Sequence, residues 1–129
     1  MKEQRNPASI HAPLAGYAHQ IELRGEQRLL AVSGQVGMTP DGELPDDPAD
    51  QLGIALDNVL RNLEAAGMRV SDLVKLTFYH VDRIDPARRR EIVDARLAGR
   101  TPCMTLIYVA GLARPEIKLE VDAWASAAT

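Results

Sequence analysis

Two acidic side chains near the end of the chain have the types and spacing that hydrolytic chemistry needs. Glu120 and Asp122 are two residues apart in a segment that alternates apolar and polar positions, which predicts a strand carrying both carboxylates on its polar face. Repulsion between them can raise the pKa of one, and such a carboxylate can orient or deprotonate water. The alternative is that Glu120 pairs with Lys118 on a solvated face.

A tyrosine and a histidine near the start of the chain form a second candidate group. Tyr17 and His19 are also two residues apart. Tyr17 can donate a hydrogen bond to a ligand or form a pocket wall, or it can be a strand tyrosine with a half-buried ring. His19 can contact a ligand, although a lone histidine more often has a structural role.

The cysteine and histidine content limits the chemistry further. Cys103 is the only cysteine, which excludes an intrachain disulfide, and no Cys/His pair has zinc-ligand spacing, so we expect no metal site. Because no residue in the sequence can be assigned to Cys103 as a base, we expect a small buried residue there rather than a nucleophile.

Charge and hydropathy exclude other classes of partner. The net charge is −3, the pI is about 5.6 and the chain has one Trp, three Tyr and one Phe, whereas nucleic-acid binders need a basic face with stacking aromatics. The start is polar, and no apolar run approaches the roughly 18 residues of a membrane span. We therefore expect a cytoplasmic protein with neither a nucleic-acid nor a membrane partner.

The first half of the chain has clear secondary-structure signals. Its 129 residues fit one domain over 1–129, with 1–14 as a flexible or edge segment. Residues 17–23 and 28–33 are strand-like around a turn, which predicts a hairpin. Breakers fill 34–47, and Asp47-Pro48 then predicts a helix that ends at Gly67.

The second half repeats this order. Residues 73–81 are strand-like, Asp85-Pro86 opens a second helix that ends at Gly99, and residues 104–109 and 117–125 are strands. Residues 104–109 have apolar side chains on both faces of the strand, which predicts burial on both sides. The order predicts an α+β fold with one mixed sheet and both helices on one face. Because no element remains to cover the other face, we expect self-association.

Five segments of the sequence resemble the Rid family of the YjgF type, and in their order and spacing they cover nearly everything from Tyr17 to Ala125. The matching segments are Tyr17-Ala18-His19-Gln20, Ser33-Gly34-Gln35, Asn62-Leu63-Glu64-Ala65-Ala66-Gly67, Ser71-Asp72-Leu73-Val74-Lys75-Leu76-Thr77 and Lys118-Leu119-Glu120-Val121-Asp122-Ala123.

The resemblance implies a chorismate-mutase-like homotrimer with ligand clefts between subunits. Many members hydrolyse reactive enamines and imines such as 2-aminoacrylate to 2-keto acids and ammonia, without metal or organic cofactor. The residues that match the family's site are Glu120 and Tyr17 as catalytic groups, and the backbone of Ser33 and Gly34 as a substrate-binding element.

One departure from the family pattern concerns the substrate clamp. The family's Pro-x-Arg-Ser/Thr motif is here Pro102-Cys103-Met104-Thr105, so a thioether replaces a guanidinium that can hold a carboxylate through two hydrogen bonds. With Leu106 and Tyr108, Met104 can line an apolar pocket or belong to a subunit interface. Thr105 retains the hydroxyl of the motif.

The arginines at the start of the second helix are candidates for a replacement clamp. Arg88, Arg89 and Arg90 lie where positive charge opposes the helix dipole. Arg90 stands roughly where the family has an asparagine, so it can replace the missing clamp from across a subunit interface; the alternative is a solvated charged face. Arg114 is a further possible donor, in a turn that we expect to be exposed.

The sequence therefore supports several functions. The first is a hydrolytic deaminase, or a related hydrolase, acting on a small enamine, imine or conjugated amino acid. Because Met104 replaces the arginine, the second is a non-catalytic trimeric binder of a small apolar or carbonyl metabolite. A third, ribonuclease activity as in some family relatives, conflicts with the acidic charge and sparse aromatic residues.

Overall fold

The computed structural model describes all residues, 1–129. Six strands and two α-helices follow one another, with a 3₁₀ turn at Val70–Asp72. Their bounds are β1 Lys2–Arg5, β2 Gln20–Leu23, β3 Gln27–Val36, α1 Pro48–Ala65, β4 Leu73–His80, α2 Pro86–Leu97, β5 Cys103–Tyr108 and β6 Leu119–Ala128.

The main sheet has four strands in the order β3-β6-β4-β5. β4 and β5 are parallel, whereas β6 is antiparallel to both of its neighbours. The prediction of an α+β fold with a mixed sheet and two helices is confirmed. No helix is long and apolar enough to cross a membrane.

Both helices begin where the sequence indicates, and each ends two residues before its predicted terminal glycine, at Ala65 and Leu97. The Asp47 carboxylate accepts a 2.9 Å hydrogen bond from the amide of Ala49, and that of Asp85 accepts a 3.1 Å bond from the amide of Arg88. Each replaces a partner that the first helical turn lacks. After α1, Gly67 has φ +69°, a conformation that glycine adopts at little cost.

The hydrophobic core lies between one face of the main sheet and the two helices. β4 places Leu76, Phe78 and His80 on this face, and β6 alternates as predicted. Sixteen buried apolar residues form one cluster, to which both helices contribute: Val32, Leu52, Ala55, Leu56, Val59, Leu63, Met68, Leu73, Leu76, Phe78, Val93, Leu97, Leu119, Val121, Ala123 and Ala125. The opposite face of the sheet has no helix over it.

The predicted hairpin between residues 17–23 and 28–33 is wrong. β2 instead pairs with β1 in a separate two-stranded sheet, so part of the 1–14 segment is an edge strand. An ion pair between Arg5 of β1 and Glu22 of β2 joins the two strands, and Arg5 also pairs with Glu3 of its own strand. β3 pairs with the equally long β6, which gives it a ladder much longer than the four residues of β2 could supply.

The predicted burial of β5 on both faces is also wrong for the single chain. β5 pairs only with β4 and is an edge of the sheet, so nothing covers its outer half. Leu106, Ile107 and Tyr108 are 40%, 40% and 47% exposed. The apolar sequence of β5 therefore creates an uncovered apolar edge.

Candidate functional site

A cleft of about 240 Å³ lies between the helix-side face of β5 and the start of α2. Three of the predicted site residues, Tyr17, Met104 and Arg90, are brought together there. Their partners in the lining are mainly apolar: Ala15, Gly16, Ile84, Pro86, Arg89, Val93, Asp94, Leu106 and Tyr108.

Strand register and helix capping place these side chains. Met104 is opposite the fully buried Leu76 of β4, so its side chain is on the helix side of the sheet. The start of α2, fixed by the Asp85 cap, places Arg90 on the other wall. The Tyr17 hydroxyl accepts a 3.1 Å hydrogen bond from the amide of Leu14, which holds the ring at the entrance.

Glu120 lies on the opposite face of the same sheet. It is paired in register with Tyr79 of β4 and Val36 of β3, and Tyr79 points away from the helix-side residues Phe78 and His80. Ser33 and Gly34, which are exposed on β3, lie beside it: a Cβ at Gly34 would be 2.3 Å from Glu120 Oε2. The second group of predicted residues is therefore Glu120, Ser33 and Gly34.

Hydrogen bonding orders the acidic part of this face. The Tyr79 hydroxyl donates to Asp122 Oδ2 at 2.8 Å, and this bond, with the nearby negative charge, raises the pKa of Tyr79 above its usual value. Glu120 does not pair with Lys118, whose Nζ is instead 3.9 Å from Asp82. The Glu120 carboxylate is thus left without a cationic partner in the chain.

Thr105 and His19 lie outside both groups. The Thr105 hydroxyl accepts a 2.7 Å hydrogen bond from Lys75 Nζ on the helix-free face. His19 Nε2 is 2.8 Å from the carbonyl oxygen of His11, and its ring makes an edge contact with that of Tyr17 at 5.6 Å. His19 therefore braces the segment that carries Tyr17 and does not line the cleft.

Whereas the sequence favours Arg90 among the three arginines as the replacement clamp, Arg89 lines the cleft. Its guanidinium carbon is 4.5 Å from the centre of the Phe78 ring, and burial lowers the pKa of Arg89. Beneath it, the buried His80 has a pKa lowered to about 4, first by burial and then by the charge of Arg89. Helical spacing is the signal that could have identified it, because Arg89 lies four residues before Val93, on the side of α2 where Val93 and Leu97 are buried.

The remaining candidate residues, Cys103, Arg114 and Arg88, are less suited to bind or activate a ligand. Cys103 is half-buried and its pKa is raised by burial, which disfavours a nucleophilic thiolate. Arg114 is exposed and ion-paired with Glu116. A larger groove of about 590 Å³ between the helices contains Arg88, which is already paired with Asp47 and Asp50. No group of three or more His, Cys, Asp or Glu side chains is arranged to hold a metal ion.

Comparison with known proteins agrees with the sequence resemblance. The profile of the family described as Endoribonuclease L-PSP matches residues 8–127. The chain is 32% identical over 127 residues to the putative reactive intermediate deaminase TdcF of Escherichia coli, covering 95% of this chain and 92% of that one. It is 33% identical over 122 residues to a 2-iminobutanoate/2-iminopropanoate deaminase of the same organism, covering 90% and 92%.

Comparison with solved structures supports the same family assignment. The Rid-family protein YyfB of Yersinia pestis superposes with a TM-score of 0.85 at 30% identity, over 96% of this chain and 97% of that one. Escherichia coli TdcF with bound serine superposes with a TM-score of 0.68 at 30% identity, over 90% and 91%. The chain therefore belongs to the Endoribonuclease L-PSP family, which includes the Rid proteins that its sequence resembles.

Proposed function

We propose that this protein is a hydrolytic deaminase of small imines and enamines, with its substrate bound in clefts between the subunits of a homotrimer. One observation carries the proposal: the candidate residues form two groups on opposite faces of one sheet, Tyr17 with Met104 and Glu120 with Gly34. A single chain cannot enclose a ligand between them. A second copy, packed with its helix-free face toward the β5 edge, supplies the missing wall.

Exposed apolar side chains support this packing. Trp124 and Leu29 are 51% and 63% exposed on the helix-free face, and the apolar residues of β5 are exposed at the edge. Surfaces of this kind usually mark an interface. The cleft beside β5 would then be closed by the strand that carries Glu120 in the neighbouring subunit.

The chemistry proposed for the cleft is addition of water to a C=N bond. An enamine first takes a proton on carbon to become the imine. Glu120 holds a water and takes its proton as the oxygen bonds to the imine carbon, while the nitrogen is protonated. Glu120 then returns its proton to the amino nitrogen of the carbinolamine, and the C–N bond breaks as the hydroxyl group loses its proton to solvent, which releases ammonia and leaves a 2-keto acid. The Tyr17 hydroxyl is positioned to donate a hydrogen bond to the substrate.

The relatives support the same reaction class. Two proteins that are 32% and 33% identical are named as deaminases of reactive intermediates or 2-imino acids, and the TdcF structure contains bound serine. RNA cleavage is a weaker candidate, since the net charge of −3 opposes a phosphate backbone.

Met104 supports the second candidate, a binder without turnover. The decisive experiment generates 2-aminoacrylate with a serine dehydratase, and also larger imines with an amino-acid oxidase, and follows their decay. We expect the wild type to accelerate decay of at least one imine and Glu120→Gln to lose that effect with ligand affinity unchanged. A wild type that is inert on every imine but binds the corresponding keto acids would instead establish the binder.

A further inference from the structure

The guanidinium of Arg89 is a positive charge without an ion-pair partner at the wall of the cleft. No carboxylate lies within 4.0 Å of it, whereas the preceding Arg88 is paired with Asp47 and Asp50. Arg89 Nε is buried and has no hydrogen-bond acceptor in the chain. Donors in this state are rare in folded proteins, because an unsatisfied buried donor is costly.

The surroundings of Arg89 increase its affinity for an anion. The face of the Phe78 ring lies 4.5 Å from the guanidinium carbon and excludes water from one side. His80, buried with a pKa near 4, is neutral at physiological pH and offers no negative charge. The N-terminal end of α2, three residues away, adds positive potential.

The other lining residues restrict what else the ligand can carry. Met104, Leu106, Tyr108 and Ile84 provide an apolar wall. Asp94, which also lines the cleft, would repel a second carboxylate on the ligand.

We propose that Arg89 binds the substrate carboxylate, and that Asp94 in the same cleft disfavours ligands with a second carboxylate. The guanidinium thus reaches the cleft from α2, opposite the strand position that Met104 occupies. Arg90, the clamp expected from the sequence, also lines the cleft, but its side chain is exposed, so water competes with a ligand for its charge. The identity of the imine as substrate rests on the proposed function, whereas carboxylate binding by Arg89 does not.

Calorimetric titration of the full chain with stable ligands tests this. The probes are 4-methyl-2-oxopentanoate, its neutral amide, and the dicarboxylate 2-oxoglutarate. We expect the wild type to bind the monocarboxylate at least about 10-fold more tightly than either of the others, as a charge-assisted bond predicts. Arg89→Met should abolish the preference over the amide, whereas the matched control Arg88→Met, on the same helix but outside the lining of this cleft, should retain it within about 3-fold.

Two further variants separate loss of the clamp from loss of the fold. Arg89→Lys keeps the charge without the planar fork and should give an intermediate preference. Adding Met104→Arg to Arg89→Met returns a guanidinium from the opposite wall and should restore the preference. The proposal is overturned if the wild type does not distinguish acid from amide, if Arg89→Met keeps the distinction, or if Arg88→Met alone removes it.

Turnover is measured separately on the same proteins. Loss of carboxylate preference in Arg89→Met together with an inert wild type would reject the deaminase and leave the clamp intact. Imine hydrolysis by the wild type at an unchanged kcat/KM in Arg89→Met would reject the clamp and leave the deaminase.

Discussion

The side chain of Glu120 packs directly against the backbone of Gly34 on the neighbouring strand. A Cβ at position 34 would be 2.3 Å from Glu120 Oε2 and 2.7 Å from its Cγ, closer than any real contact. The β3 strand is irregular here, since its register with β6 shifts between Val32 and Gln35. Glycine at 34 therefore fixes where the carboxylate can lie.

Replacing this glycine should move the carboxylate without unfolding the protein. In Gly34→Ala the flexible end of Glu120 must swing aside, so we expect a change in unfolding free energy below about 1 kcal/mol and a loss of imine hydrolysis of at least about 10-fold, through misplacement of the water. The control Gly111→Ala has open space around its Cβ and no unusual φ. Full activity in Gly34→Ala would show that the Glu120 position is not critical.

Tyr79 and Asp122 give a second prediction on the same face. Tyr79→Phe removes the donor to Asp122 Oδ2 and leaves that carboxylate beside Glu120, so we expect chemical denaturation to show a loss of about 0.5–1.5 kcal/mol. Tyr108→Phe is the control, because its hydroxyl makes no hydrogen bond within the chain and should leave stability nearly unchanged. Equal effects of the two changes would contradict a role for this bond.

The helices and the central strands are predictable from the sequence because their signals are local. Asp47-Pro48 and Asp85-Pro86 satisfy helix N-termini with residues that are adjacent in sequence. β6 alternates because one of its faces packs on the core and the other does not. The alternation of apolar and polar residues in the sequence therefore predicts which face of β6 is buried and which is not.

Strand pairing and the position of a strand in its sheet depend on residues that are distant in sequence. The two wrong predictions, the hairpin and the burial of β5, concern these features. A turn signal at residues 24–27 does not reveal that β1 and β6 compete for the strands on either side of it. Similarly, the apolar sequence of β5 shows that the strand avoids water, but whether the covering surface comes from the same chain is not encoded in its pattern. The structure places β5 at an edge.

The types of residue in the candidate site were predictable from the sequence, but their arrangement in space was not. Tyr17, Met104 and Glu120 are identifiable from their segments, yet only the strand register reveals that they are on two faces. Among three consecutive arginines, charge alone gives no reason to prefer Arg89. The reason to prefer Arg89 is its position, because it precedes Val93 and Leu97 at intervals of four residues on the side of α2 where these two are buried.

Gln51 connects segments that position the sheet, so its loss should be costly. This fully buried side chain donates to the carbonyl oxygens of Pro45 and Glu116 at 2.7 and 3.0 Å and accepts from the amide of Lys118 at 2.9 Å. Gln51→Leu leaves these backbone groups unsatisfied, and we expect a destabilisation on the order of 3 kcal/mol by urea denaturation.

A matched change on the exposed side of the same helix provides the control. Asn62→Leu alters an exposed amide of α1 and should stay within about 0.5 kcal/mol of the wild type. A small effect of Gln51→Leu would mean that water replaces the lost hydrogen bonds.

Trp124 tests the expected association. It is 51% exposed and opposite Ala31 on the helix-free face, so Trp124→Glu places a charge in the proposed interface. In sedimentation experiments we expect the wild type to be trimeric and this variant to dissociate at a protein concentration at least about 10-fold higher. Ala65→Glu, exposed on α1, should leave the assembly intact, and a monomeric wild type would rule the trimer out.

The buried His80 should make the protein less stable in mild acid. Its pKa is about 4 in the folded chain against a usual 6.5, so between these values the unfolded chain binds a proton that the folded chain does not. Unfolding free energy must therefore fall as pH decreases from about 6.5 toward 4, by on the order of 3 kcal/mol in total. Denaturation between pH 6.5 and 5 isolates this effect, because Glu22, whose pKa is lowered to about 2, titrates elsewhere.

His80→Gln should flatten the pH dependence of stability, while the exposed His11→Gln should preserve it. A wild type whose stability is constant over this range would contradict a neutral buried imidazole.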